Sequence, residues 1–200
     1  MKSSFLTVFS VLILTAACFG MAGQPPKEGV NMNDPQVVIE TSKGKIVVEL
    51  FADKAPGTVE NFLGYVDSGF YDGTIFHRVI PGFMIQGGGF KKGLEEKMTL
   101  SPIKNEACAV LANERGTIAM ARTNDVNSAT SQFFINTVNN GPLNHKNETP
   151  TGFGYCVFGK VLSGMDVVDS ISHVTTHSVG FYDDVPVEDV MVLSVKKVVK

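Results

Sequence analysis

The sequence predicts an all-β domain, an antiparallel sheet of about eight strands with two short helices, and a closed barrel is the arrangement that suits it. Three observations carry this reading. Branched and aromatic residues come in short runs bounded by Gly, Pro, Asn and Asp. Only two stretches have helical spacing, and the alternation of strand and long helix that a parallel sheet needs does not occur. A barrel removes exposed strand edges and leaves two ends for helices to cap; composition alone also leaves a sandwich open.

The elements follow in order. Val37, Val38 and Ile39, a turn at Ser42-Lys43-Gly44, and Ile46 to Leu50 read as a hairpin whose glycine serves the turn. In APGTVENFLGYVDSGF, Val59, Phe62, Leu63 and Val66 stand at i, i+3, i+4 and i+7 and share one helix face, with Pro56 in the first turn and Gly69 at the exit. Tyr71 to Ile85 reads as two strands with a bend at Pro81-Gly82. Lys91 to Ala109 has no helical stripe and is expected as a long surface excursion. GTIAMAR (116–122) and SQFFINT (131–137) return to strand character around a polar loop. A second loop, 139–154, leads into a strand at 155–161; Met165, Val168 and Ile171 mark the second helix; EDVMVLSVKKVV is a last strand able to close the sheet onto its beginning.

Residues 1–22 have the order of a secretory signal peptide: Lys2, an apolar run from Phe5 to Leu14, then small residues ending Gly20-Met21-Ala22. Ala16-Ala17-Cys18 offers a second route, lipoprotein processing at Cys18, which would tether the chain to a membrane; a retained N-terminal anchor is the third alternative. Residues 23–35 lack periodicity and read as a flexible leader, and 36–200 as one domain without internal repeats. A periplasmic or otherwise exported protein is expected, with the tethered lipoprotein as alternative.

Lys2 is the one charge in the first 22 residues, so 16 Lys+Arg face 20 Asp+Glu in the remainder. That balance lacks the basic cluster that nucleic acids or anionic bilayers require. Cys108 and Cys156 could form one bridge, but a domain of this size does not need it, and two buried thiols are the favoured reading. No C-x-x-C, H-E-x-x-H, G-x-S-x-G or G-x-G-x-x-G occurs, so thiol exchange, metal, triad and dinucleotide chemistry gain no support and no cofactor is expected. His77 reads as a hydrogen-bonded structural histidine facing away from Arg78.

What remains is FHRVIPGFMIQGGG, residues 76–89, with Arg78 and Gln86 among apolar neighbours. Arg122, Gln132 and Tyr155 are the other polar residues set inside apolar runs, and a buried polar group costs roughly several kcal/mol if unpaired. Phe83, Met84 and Phe134 could line an apolar groove around Arg78. Such a groove is poor for acid and base catalysis and suits a reaction that needs neither.

FHRVIPGFMIQGG, followed by RGTIAMAR and SATSQFFIN, resembles the cyclophilin family of peptidyl-prolyl cis/trans isomerases, most closely its exported bacterial branch, from Pro35 to the last strand. The resemblance implies a closed eight-stranded antiparallel barrel capped by two helices, and an isomerase acting on X-Pro bonds of exported polypeptides during folding. A non-catalytic proline-segment binding module or chaperone is the alternative, and a monomer the default. The resemblance makes Arg78 the catalytic arginine and groups Gln86 and Phe134 with it. It assigns the substrate to Phe76, Phe83, Met84, Ala121, Arg122, Gln132, Leu143 and Tyr155, with Ala121 and Arg122 acting largely through their backbone. Gln86 and Gln132 are expected to hold the peptide or position the arginine. Tyr155 stands where eukaryotic members have a histidine, and Pro142 where members have an aromatic residue. Weak binding of cyclosporin-like ligands follows from that missing aromatic.

Overall fold

Strands β1 (Gln36–Thr41) and β2 (Gly44–Leu50) form the expected hairpin, their alternate residues Val37, Ile39, Ile46, Val48 and Leu50 fully buried. The computed structural model describes residues 34–198; the expected signal peptide, the alternative processing at Cys18 and the expected leader up to residue 33 lie outside the described residues. Helix α1 (Pro56–Asp67) follows, with proline in the first turn, where its missing N–H costs nothing. Then come β3 (Thr74–Ile80), β4 (Met84–Lys91), the two-residue β5 (Glu95–Glu96), β6 (Thr117–Met120), β7 (Phe133–Asn136) and β8 (Val157–Ser163). Helix α2 (Met165–Ser172), β9 (Thr176–Val179), β10 (Tyr182–Pro186) and β11 (Val192–Lys197) complete the chain.

Eight strands run β11-β1-β2-β8-β6-β7-β4-β3 in one antiparallel sheet. The ends of this path meet where Ile75 bridges Met191 and the Phe76 amide donates to the Val190 carbonyl at 3.0 Å, so the barrel is nearly closed. The last strand does pair with the first, as its sequence suggests, but begins at Val192 because the segment before it carries the closing contacts. Residues 176–186, in a stretch without a recognisable strand or helix pattern, form the β9–β10 hairpin, which packs against β3 outside the barrel path.

Phe62 of α1 sits at the centre of the core, its ring 5.2 Å from Tyr71, 5.8 Å from Phe133 and 5.2 Å from Phe158. Burying one such ring contributes about 2–3 kcal/mol before ring–ring terms. The excursion after Lys91 is not purely a surface feature. Glu106 accepts hydrogen bonds from the Gly57 and Thr58 amides at 3.1 and 2.7 Å, capping α1, which has no cap of its own, with a negative charge at the positive end of the helix dipole.

Strict alternation fails in β3. Phe76 pairs with Gly87 while Arg78 pairs with Gln86, so His77 is an extra residue, a β-bulge. The bulge sends Phe76 and Val79 into the core and Arg78 to the outer face. The partner strand answers with three glycines: Gly88 has φ +84, and a Cβ on Gly89 would stand 2.6 Å from Gln132 Cγ. The run Gly87-Gly88-Gly89 is therefore conformational in origin.

Candidate functional site

On the outer face Met84, Ala119, Phe134 and Val157 form an apolar cluster of their own, separate from the barrel core, with Phe83, Leu143, Tyr155 and Ile80 around them. They floor a groove of about 170 Å³ lined by Arg78, Phe83, Met84, Gln86, Ala121, Arg122, Phe134, Leu143 and Tyr155. Adjacent strands supply the floor, because β4 and β7 pair Met84 with Asn136 and Gln86 with Phe134. Phe134 packs edge-on against Tyr155 at 5.6 Å. That geometry fits an apolar ring as guest.

The structure brings nine of the eleven expected site residues to this groove. Phe76 is a correction: it is fully buried in the barrel core, edge-on to Phe133 at 6.2 Å, because the bulge at His77 turns it inward. Gln132 does not line the groove but accepts a 2.9 Å hydrogen bond from Gln86 Nε2, which answers the need for a polar partner. Arg122 contributes more than backbone. Its guanidinium lies 4.9 Å from the Tyr155 ring centre and donates to the carbonyls of Gly154, Thr123 and Pro150 at 3.0, 2.9 and 2.9 Å. Pro142 is exposed in a short turn of 3-10 helix, Gly141–Leu143, leaving that side of the groove without an aromatic wall.

Arg78 is half exposed at the groove wall, its Nε 3.7 Å from Asp184 Oδ2. The bulged neighbour behaves differently from expectation. His77 is buried against Phe90, ring centres 4.5 Å apart, and its Nδ1 has no hydrogen-bond partner. Burial, and then the adjacent Arg78 charge, lower its pKa to about 4. Cys108 and Cys156 are free thiols; Cys108 is half-buried rather than buried, while Cys156 sits beside Thr58 and burial pushes its thiol up to about 11.

Sequence reasoning missed two sets of residues. Asn113 donates to the Leu143 carbonyl at 3.1 Å and accepts from Asn136, and Asn140 donates to Asn136 at 2.7 Å, so buried asparagines fix the turn that presents Leu143. Asn136 ends an apolar run, the same signal that singled out Gln132. Asp184 gave no such signal, since its hairpin has no apolar alternation.

Residues 36–197 match the family described as cyclophilin type peptidyl-prolyl cis-trans isomerase/CLD. Peptidyl-prolyl cis-trans isomerase B of Escherichia coli is 58% identical over 159 residues, 80% of this chain and 97% of that protein. Peptidyl-prolyl cis-trans isomerase A of Dickeya dadantii is 54% identical over 199 residues, covering 100% of this chain and 99% of that protein. Among solved structures, a Cryptosporidium parvum cyclophilin type peptidyl-prolyl cis-trans isomerase superposes with a TM-score of 0.69 at 26% identity, covering 84% of this chain and 99% of its own. The same protein in the presence of the dipeptide Ala-Pro gives 0.66 at 27% identity, covering 80% and 96%.

Proposed function

This chain belongs to the cyclophilin family of peptidyl-prolyl cis-trans isomerases and is such an isomerase; we propose that it acts on X-Pro bonds of exported polypeptides, accelerating their folding, with Arg78 as its catalytic residue. The reading of export rests on the charged, apolar, small-residue order of residues 1–22. The observation that carries the site is a groove whose second cation is already committed. Each of the three Arg122 guanidinium nitrogens already donates to a backbone carbonyl, so Arg78 is the groove cation better placed to meet a peptide. That the Cryptosporidium protein was solved in the presence of the dipeptide Ala-Pro is in keeping with a prolyl peptide as occupant of this groove.

Rotation about the tertiary amide meets a barrier of about 18–20 kcal/mol, because the nitrogen lone pair is conjugated with the carbonyl. No bond to carbon forms or breaks, so the site has only to favour the twisted amide. In that state the prolyl nitrogen regains its lone pair and becomes an acceptor. The Arg78 guanidinium donates to it far more strongly than to either planar form, which is differential binding of the transition state. Phe83, Met84, Phe134 and Leu143 grip the proline ring while the preceding carbonyl turns, and they keep water from the charge. Each factor of ten in rate takes about 1.4 kcal/mol of such selective stabilisation.

Replacing Arg78 by alanine tests the reading. Turnover of a short X-Pro peptide, followed by exchange NMR, should fall by about a hundredfold or more while the folded spectrum is kept. A variant that turns over like the parent would refute the assignment. Lysine should rescue poorly, because it lacks the planar fork of donors.

A further inference from the structure

We propose that Asp184 is a positioning residue for Arg78, a part that the β9–β10 hairpin adds to the barrel's active site. The inference rests on the reading of Arg78 as catalytic. The Asp184 carboxylate stands 3.7 Å from Arg78 Nε, on a strand pair that is not part of the barrel path. At that distance the pair is an ionic contact rather than a hydrogen bond, and it biases the rotation of the guanidinium about its long side chain. The carboxylate engages Nε and leaves the terminal nitrogens for the peptide in the groove. Both side chains are near 40% exposed, at 45% and 38%, so the contact is worth little to overall stability. Its effect falls on orientation.

The backbone supplies a second, independent observation. Asp184 has φ 61, in the left-handed region, where non-glycine residues are uncommon and aspartate and asparagine are the best tolerated. It sits in the register break of β10, between Tyr182 and Val185. Neighbours fix that conformation from both sides: Asp183 accepts a 2.6 Å bond from Ser178, Val185 is buried, and Tyr182 packs edge-on against Phe90 at 5.4 Å. A bulge that turns one carboxylate out of a paired strand toward the arginine of the neighbouring groove re-aims a side chain beside an active site.

The test uses Asp184→Asn and Asp184→Gly, which both tolerate the left-handed backbone while removing the charge or the whole side chain. In exchange NMR on an X-Pro tetrapeptide, both should lose roughly three- to fivefold in kcat, under about 1 kcal/mol, with KM unchanged. A merely structural role would not respond to salt, but an ion pair does. The ratio of parent to Asp184→Asn should therefore shrink below about 1.5-fold in 1 M sodium chloride, where the screening length is about 3 Å. The proposal is overturned by unchanged or raised kcat, by a change confined to KM, or by a loss that salt leaves intact. Arg78→Ala is measured in parallel. If it is inactive while Asp184→Asn matches the parent, only this inference fails; if it retains parental turnover, both readings fall.

Discussion

Gln86 Nε2 donates a 2.9 Å hydrogen bond to Gln132 Oε1, tying β4 beside Arg78 to the residue that opens into β7. The bond fixes which face of the Gln86 amide the groove sees. Gln132→Ala should therefore lower kcat/KM by about three- to tenfold, the scale of one hydrogen bond, with little loss of thermal stability. Gly89→Ala offers the same perturbation from behind, because its methyl would stand 2.6 Å from Gln132 Cγ and push that side chain away. Steady-state kinetics on one X-Pro peptide checks both, and a Gly89→Ala enzyme that stays fully active counts against the coupling.

Arg122 joins three stretches of chain at once, through Gly154, Pro150 and Thr123, and covers the ring of Tyr155. Arg122→Ala should loosen the 144–154 loop and with it one wall of the groove. The expected signature is a KM raised by roughly three- to tenfold with kcat changed less, since the group binds substrate and twisted state alike. Hydrogen exchange over 144–154 should rise in the same variant. Lysine cannot reproduce three diverging donors and should behave like alanine.

Pro142 marks where the groove is open. It is exposed, and the neighbouring Leu143 is held in the wall by Asn113 and by the Tyr155 amide, which donates to the Leu143 carbonyl at 3.0 Å. An aromatic side chain at 142 would add a flat apolar surface without disturbing those bonds. Calorimetry should find that the parent binds cyclosporin no tighter than about micromolar, and that Pro142→Trp gains at least about tenfold, or 1.4 kcal/mol. Nanomolar binding by the parent would show that the missing aromatic is irrelevant.

Hydrophobic pattern made the barrel legible, because both helices and the strand runs follow spacing that side-chain burial dictates. Val59, Phe62 and Val66 lie on one helix face and are all buried. The groove was legible as well where its residues interrupt apolar runs, as Arg78, Gln86 and Arg122 do. Phe76 was misplaced because a bulge reverses the inside and outside of a strand without any change in hydrophobic pattern; only the glycines opposite hint at it. Asp184 was invisible for the opposite reason. Its role comes from packing between a polar hairpin and β3, which no local period encodes.

That same bulge stores a pH dependence. His77 is 5% exposed, stacked on Phe90, with a buried Nδ1 that has no partner, and its pKa falls to about 4. In the unfolded chain an ordinary histidine titrates near 6.5. Between those values the unfolded state takes up a proton that the folded state refuses. Stability is therefore fully present above about pH 6.5, falls as pH drops through the window, and levels off below about pH 4, a loss of up to about 3 kcal/mol. Urea unfolding at a series of pH values from 7.5 to 4.5 measures it. In His77→Phe the slope in this window should flatten by that histidine's share. Stability at pH 7.5 should hold or rise, since phenylalanine keeps the stacking on Phe90 and removes the unpartnered nitrogen. Equal slopes for parent and variant would mean that the imidazole finds solvent when it charges, and that the bulge carries Arg78 outward at no cost in proton affinity.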